Sequence, residues 1–140
     1  MLAAAACRLG VVKEFWFDRC SMLRLPSMEK LSQRECVPCR GGVPPLARAE
    51  QASLHGQLGQ EWELVNGHHL QREFEFKDFR SAMEFTVRVG GMADEQGHHP
   101  DIHLSWGKVK LLVWTHKIDG LTESDFILAA RAESLYSPAN

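Results

Sequence analysis

The sequence predicts an α+β domain of two layers, in which helices pack on one face of a four-stranded antiparallel sheet. Two pairs of strand-like runs, each pair joined by a glycine-containing turn, predict two hairpins. Segments with apolar residues at three- and four-residue spacings precede, separate and follow these hairpins, which predicts three helices. The predicted element order is therefore α-β-β-α-β-β-α, and a chain of 140 residues suggests a single domain.

The first helix and the first hairpin are predicted between residues 46 and 76. A helix over residues 46–58 has a modest apolar stripe made of Leu46, Ala49, Leu54 and Leu58. Asn66-Gly67 then separates two strand-like runs, and this dipeptide is a strong signal for a two-residue hairpin turn. In the second strand, apolar Leu70, Phe74 and Phe76 alternate with Gln71, Glu73 and Glu75. This alternation predicts one buried and one solvated face.

The second helix is predicted from Asp78, which can cap its N-terminus, to about Glu95. Gly97 and Pro100 are residues that end a helix. The predicted buried stripe consists of Phe79, Ala82, Phe85, Val89 and Met92.

The second hairpin is predicted to turn at Gly107. One face of its strands carries Ile102, Leu104, Trp106, Val109, Leu111 and Val113. The opposite face of the last strand carries Lys110, Leu112, Trp114 and His116, and because it is largely apolar we expect it to meet a partner subunit. The last helix begins at Thr122, where Thr122-x-x-Asp125 resembles a capping box.

The composition is that of an ordinary globular protein, with 44% hydrophobic and 24% charged residues. A net charge of -2 does not favour binding to nucleic acid or to an acidic membrane, and no apolar run approaches the length of a membrane span. Four cysteines do not form a disulfide scaffold, which indicates a reducing compartment. Cys36 and Cys39 form a C-x-x-C, but no helix follows to activate a thiol and no second pair exists for zinc. We interpret this motif as structural or incidental.

The N-terminal stretch differs in character from the rest of the chain. Residues 1–34 are predicted to be an extension, and residues 35–140 are predicted to form the domain. Residues 1–27 have two interpretations. The favoured one is that translation starts at Met28, and the alternative is a transit peptide, against which Glu14 and Asp18 count.

The histidines are the residues most suggestive of chemistry. His98, His99 and His103 follow the predicted end of the second helix, and His116 closes the last strand. Imidazole exchanges protons near neutral pH, so acid–base catalysis is one interpretation. Solvated loop histidines and a zinc site are the others, although His98 and His99 are adjacent and lack the spacing of a helical ligand pair. His68, His69 and His103 are interpreted as surface residues without a chemical role.

Several of these residues fall at the spacings of a known family. The chain resembles the pterin-4a-carbinolamine dehydratases in Asp94, His98-His99-Pro100, Trp106, His116 and Asp125. Supporting matches are Phe74-x-Phe76-x-Asp78-Phe79, Thr115-His116 and Gly120-Leu121-Thr122. The resemblance covers about residues 35–135, and ECVPCRGGVPPL is similar to the leader of bacterial and plant-type members.

The resemblance implies an enzyme that removes water from 4a-hydroxytetrahydropterin without a metal or organic cofactor. It implies that His98, His99 and His116 line the pterin site, with His99 and His116 as the proton-transfer pair and His98 orienting the substrate. Implied substrate-binding positions are Asp94, Pro100, Thr115, Lys117, Ile118 and Asp125. Asp94 stands where the family commonly has glutamate. Two roles stay open for Asp125, support of His116 or the helix cap, and two for Trp62, stacking on a ring or filling the core.

The resemblance also implies partners and a setting. It implies a homodimer or homotetramer in the cytoplasm, or in an organelle if residues 1–27 are a transit peptide. It implies a functional link to an aromatic amino-acid hydroxylase, through recycling of tetrahydrobiopterin. The alternatives are an interaction or assembly protein of the transcriptional dimerisation type, and a related pterin activity in molybdenum-cofactor metabolism.

Overall fold

The computed structural model describes residues 30–37 and 43–137. These residues form helices α1 (Arg48–His55), α2 (Phe79–Gln96) and α3 (Glu123–Leu135), and strands β1 (Glu63–Val65), β2 (His69–Glu75), β3 (Asp101–Ser105) and β4 (Lys108–Val113). Short 3₁₀ turns occupy Leu31–Gln33 and His116–Ile118. The sheet has the order β1-β2-β4-β3, and its adjacent strands are antiparallel. The predicted α+β fold and element order are confirmed, although α1 is shorter than residues 46–58.

Glycines at the two hairpin turns permit the backbone conformations that the turns require. Asn66 and Gly67 have φ angles of 54° and 67°, as expected for an Asn-Gly turn. Val65 pairs with His69, so His68 also belongs to the connection, which is one residue longer than predicted. At Gly107 the φ angle is 64°, and a Cβ there would lie 2.8 Å from the Phe76 carbonyl oxygen. This close approach ties the second hairpin turn to the end of β2.

The core lies between the inner face of the sheet and the helices. Leu70 and Phe74 of β2 and Leu111 of β4 are almost fully buried, beside Phe85 of α2. Burying a side chain of this size stabilises the fold by roughly 1.5–3 kcal/mol. Trp62, 1% exposed, also belongs to this core, which decides between its two predicted roles.

Arg72 lies on the same inner face, although it is charged. Only 7% of it is exposed. Its guanidinium donates to Glu133 Oε1 at 2.7 Å and lies 4.5 Å from the centre of the Phe74 ring. The carboxylate and the aromatic ring together compensate for the loss of water around the buried charge.

Helix α2 has the predicted caps but not the whole predicted stripe. Asp78 Oδ1 accepts from the Ser81 N–H at 2.7 Å, and Gly97 ends the helix with a φ of 60°. Ala82, Phe85 and Val89 are buried as predicted, whereas Phe79 is 41% exposed. Phe79 was predicted to be buried. It lies instead at the start of an exposed row that continues with Met83 and Val87, one and two turns further along α2.

This exposed row also includes the tryptophan after β3. Phe79, Met83, Val87 and Trp106 form what we call the α2 apolar surface. Trp106 was predicted on the inner face of the sheet, but it is 75% exposed. It follows the end of β3, and its ring stacks on Phe79 at 6.4 Å. The prediction was wrong because alternation along β3 ends at Ser105, one residue earlier.

The outer face of the sheet is less apolar than predicted. Leu112 and Trp114 are only half-exposed. The rings of His68 and His116 cover Trp114, with centroids 4.6 and 4.2 Å from its own. Among the described residues, four of the six exposed large apolar side chains lie on α2 or against it, and none lies on this face.

The packed domain begins before the predicted boundary at residue 35. Leu31 is 3% exposed and belongs to the core. Residues 1–29, with Cys7, Cys20 and the predicted start site or transit peptide, lie outside the described residues, as does Cys39. Within the described ranges, no helix is long and apolar enough to cross a membrane.

Candidate active site

A cleft of about 280 Å³ opens where the end of α2 meets the end of β4. Gly97 adopts a left-handed conformation, so the chain leaves α2 sharply and presents the next two residues to the cleft. On the other side, a bridge between Thr115 and Gly120 closes the loop that follows β4. The lining residues are Gly97, His98, His99, Trp114, Thr115, His116 and Lys117. All three predicted catalytic histidines therefore line one cleft.

The floor of the cleft is a buried hydrogen-bonded group. His98 is 8% exposed, and its Nε2 lies 2.7 Å from Asp125 Oδ1. Because an ionised carboxylate can only accept, this nitrogen carries the hydrogen. The other oxygen of Asp125 accepts from Thr115 Oγ1 at 2.8 Å and from the Thr122 N–H at 2.7 Å. We call His98, Thr115 and Asp125 the cleft floor.

The hydrogen bonds of Asp125 decide between the two roles that the sequence left open for it, the helix cap and support of His116. Its bond to the Thr122 N–H confirms that it caps α3. Its imidazole partner is His98, so the predicted support of His116 is wrong. The reason is geometric: the first turn of α3 faces the end of α2, whereas the His116 ring extends toward β3.

His99 lies at the edge of the cleft. Its Nε2 is 2.8 Å from Asp94 Oδ1, and 64% of its side chain is exposed. Asp94 therefore reaches the imidazole, although it is shorter than the glutamate common at this position in the resembled family. This pair spans the last turn of α2 and the residues that follow it.

His116 lies at the opposite edge, with 52% of its side chain exposed. Its ring packs on Trp114, and its Nε2 is 3.6 Å from Asp101 Oδ2. The same Asp101 oxygen accepts from Trp114 Nε1 at 3.1 Å. The His116 ring thus rests on an indole and has a carboxylate beside its Nε2, beyond hydrogen-bonding distance. We call His99 and His116 the cleft rim.

The sequence prediction missed Asp101 and Trp114 as site residues. Trp114 was assigned to a subunit contact because it continues the outward-facing positions of β4. One signal was available: in antiparallel pairing, the residue after Pro100 lies beside the end of β4, as the Asp101–Leu112 pair shows. That signal becomes usable only once the strand register is known.

Two further histidines lie behind Trp114. His68 Nε2 is 3.0 Å from Asp119 Oδ1, and its Nδ1 is 3.1 Å from Nδ1 of His69. Burial lowers the pKa of His69, and the nearby charges of His68 and Lys110 lower it further. Neither residue was predicted to have a role, but His68 packs on Trp114, which lines the cleft.

The remaining predicted residues divide into two groups. Thr115 and Lys117 line the cleft, whereas Pro100 and Ile118 are half-buried neighbours of lining residues. His103 is exposed on β3.

In the described part of the chain, no group of three or more His, Cys, Asp or Glu residues is arranged to hold a metal ion.

This arrangement is suited to proton transfer on a small molecule. Three imidazoles surround a space near the lower end of the usual range for ligand cavities, roughly 300–1,000 Å³. Two of them are accessible from solvent and each has a carboxylate within 4 Å. Imidazole is the side chain most often used for general acid–base catalysis, so two accessible imidazoles in one cleft suit proton transfer.

Comparison with solved structures supports the fold. The crystal structure of a transcriptional coactivator/pterin dehydratase from Brucella melitensis is similar to this chain, with a TM-score of 0.61 and 28% sequence identity. The match covers 65% of this chain and 97% of that one.

Comparison with known sequences identifies the family. A Rubrobacter xylanophilus protein named "Putative pterin-4-alpha-carbinolamine dehydratase" is 55% identical over 108 residues, which cover 77% of this chain and 100% of that protein. A protein of the same name from Alkaliphilus metalliredigens is 49% identical over 110 residues, which cover 79% and 99% of the two chains. The family model described as Pterin 4 alpha carbinolamine dehydratase matches residues 44–135, more than half of the chain. The chain therefore belongs to the pterin 4 alpha carbinolamine dehydratase family, a family of hydro-lyases.

Proposed function

We propose that the cleft dehydrates 4a-hydroxytetrahydropterin to quinonoid dihydropterin. The observation that carries the proposal is the convergence of His98, His99 and His116 on one cleft in a chain of this family. In the reaction N5 loses a proton, a carbon–nitrogen double bond forms, and the 4a-hydroxyl leaves with an added proton as water. One base and one acid suffice, and histidine serves as either near pH 7.

The two rim histidines are the proposed proton-transfer pair. Each is exposed enough to meet a substrate that enters from solvent, and each has a carboxylate beside it, Asp94 or Asp101. One of the two removes the N5 proton, and the other protonates the leaving hydroxyl. This assignment balances the reaction, because the proton removed and the proton supplied are equal in number.

The cleft floor is proposed to bind and orient the pterin. The bond to Asp125 fixes the ring of His98, whose opposite edge is then available to a polar group of the substrate. Thr115 and Lys117 line the same space. Asp94, Pro100, Ile118 and Asp125 contribute through the residues that they hold or flank. No step in this scheme requires a metal or an organic cofactor.

A direct assay tests the proposal. A hydroxylase generates the 4a-carbinolamine, and its decay is followed by absorbance with and without this protein. We expect faster decay with the protein and the same rate after a chelator is added. Decay at the spontaneous rate would refute the dehydratase function, and a large loss with chelator would refute catalysis by histidine alone.

The proposed setting is recycling of tetrahydrobiopterin in the cytoplasm, beside an aromatic amino-acid hydroxylase.

The proposed homo-oligomer is best supported by the α2 apolar surface. Phe79, Met83 and Val87 lie on successive turns of α2 and leave a continuous apolar row in contact with water. Gly90 and Gly91 continue the helix, and apart from the helix's own nearby backbone no described atom lies within 4 Å of a Cβ built at either position. A glycine inside a helix costs about 1 kcal/mol relative to alanine, and nothing in the described part of the chain accounts for two of them.

A second copy of the chain would account for both features. Its α2 would cover the apolar row, and the two glycines would let the helix backbones approach closely. Light scattering tests this: Val87→Glu should lower the oligomer mass, and His103→Glu, an exposed change on the outer face of the sheet, should not. A monomer before mutation, or dissociation caused only by His103→Glu, would overturn this assignment of the interface.

A further inference from the structure

A short N-terminal segment crosses the ends of two helices beside the cleft. Residues Leu31–Val37, here called the strap, precede residues 44–135, which match the family model. Leu31 anchors one end in the core, with 3% of its surface exposed. In the middle, the Arg131 Nε donates to the Arg34 carbonyl at 2.8 Å. The strap is thus held to the domain at Leu31 and at Arg34.

The far end of the strap is bonded to the last residue of α2. The Cys36 N–H donates to Gln96 Oε1 at 2.9 Å. Gln96 is followed by Gly97, which ends the helix, and then by His98 of the cleft floor. A bond at this position restrains the backbone two residues before the buried imidazole.

The same end of the strap is bonded to the first turn of α3. Ser124 Oγ accepts from the Val37 N–H and donates to the Val37 carbonyl, both at 3.1 Å. The sulfur of Cys36 lies 3.5 Å from the Ser124 carbonyl oxygen. Ser124 is 4% exposed and directly precedes Asp125. This second attachment therefore restrains the residue next to the buried carboxylate.

We propose that the strap positions the cleft floor by tying the end of α2 to the start of α3. The His98–Asp125 bond joins the same two helix ends, so a relative shift of the ends would lengthen both connections. Gln96 and Ser124 are positioning residues in this scheme, because they act through His98 and Asp125 and not on a substrate. The effect on catalysis rests on the proposed function, whereas the effect on the His98–Asp125 bond does not.

Two substitutions remove the attachments separately. Ser124→Ala removes the hydroxyl that bonds to Val37, and Gln96→Ala removes the acceptor for the Cys36 N–H. The first measurement is by NMR: the proton between His98 and Asp125 resonates downfield, and its exchange with water reports local opening. We expect faster exchange in each variant, and a rate of carbinolamine decay at subsaturating substrate that falls by about three- to tenfold, since small displacements of the groups that bind and orient a substrate are costly.

Leu31→Ala is the matched control, because it weakens the other end of the strap and lowers stability without touching Gln96 or Ser124. Under conditions where all variants are folded, it should leave the exchange of the His98–Asp125 proton unchanged. The proposal is overturned if Ser124→Ala and Gln96→Ala exchange at the original rate. It is also overturned if Leu31→Ala changes the exchange equally, since the strap would then only add stability. A protein without dehydratase activity would refute the proposed function but leave the NMR test decisive.

Discussion

The floor and the rim of the cleft use the same chemical groups in opposite settings. His98 and Asp125 of the floor are buried, at 8% and 0% exposure, and three further donors complete the hydrogen bonding of the carboxylate. His99 and His116 of the rim are more than half exposed, and each has a single carboxylate neighbour. Adjacent residues in the sequence, His98 and His99, thus belong to different parts of the site.

This difference indicates a division of labour. A buried imidazole bonded to a buried carboxylate is fixed in one orientation and is slow to exchange protons with water. An exposed imidazole can take a proton from a substrate and return it to solvent within one catalytic cycle. We therefore expect changes in the floor to act mainly on stability and binding, and changes in the rim to act mainly on the rate of the chemical step.

Removal of a rim histidine should have the largest effect. His99→Ala and His116→Ala should each lower the rate of carbinolamine decay by about 10²–10⁴-fold, the usual contribution of general acid–base catalysis. Thermal unfolding should change little, because both side chains are exposed. His103→Ala, at an exposed position on β3, should leave the rate unchanged. Variants that retain the full rate would contradict the roles proposed for the rim.

Removal of the floor carboxylate should act on stability. Asp125→Ala leaves His98, Thr115 and the start of α3 without their partner, and breaking a buried pair costs about 3–5 kcal/mol in the free energy of unfolding. Urea denaturation measures this cost. The rim variant Asp94→Ala is the control, because exposed pairs contribute about 0–1 kcal/mol. Equal losses in the two variants would show that floor and rim do not differ as described.

The smallest expected effect is the pH dependence contributed by His69. Its pKa is lowered in the folded protein, so the unfolded chain binds a proton that the folded protein does not. Stability from this residue is present above the unfolded pKa of about 6.5 and is lost as pH falls toward the lower folded value. His69→Gln should therefore lose less stability than the intact protein between neutral and mildly acidic pH. Parallel curves for the two proteins, measured by urea denaturation, would contradict this.

Local signals predicted the elements that carry the site. The Asp78 side chain caps the start of α2, and the left-handed conformation of Gly97 ends it. The positive φ angles of Asn66 and Gly67 permit the turn of the first hairpin. These effects depend on a few consecutive residues, so they can be recognised in a sequence. The number and positions of the histidines also suggested chemistry, but the choice of His98, His99 and His116 as the site came from the resemblance to a family, since their spacing along the chain does not establish that they meet.

The partners of the histidines could not be predicted, because they depend on tertiary register. Asp125 lies on α3 and meets His98, and Asp101 comes close to His116 only because β3 pairs with β4. Burial was predicted wrongly at Phe79 and Trp106 for a related reason. An apolar pattern shows which residues share a face, but it does not show whether another part of the protein covers that face.

The most direct test of the division between floor and rim is chemical rescue by imidazole. His116→Ala leaves an opening in contact with solvent, so added imidazole should enter it and restore part of the rate of carbinolamine decay. His98→Ala leaves a buried space whose role is to orient the substrate, so imidazole should restore little there. We predict rescue of His116→Ala without rescue of His98→Ala. Rescue of His98→Ala alone would contradict the account, because it would make the buried histidine the proton-transfer group.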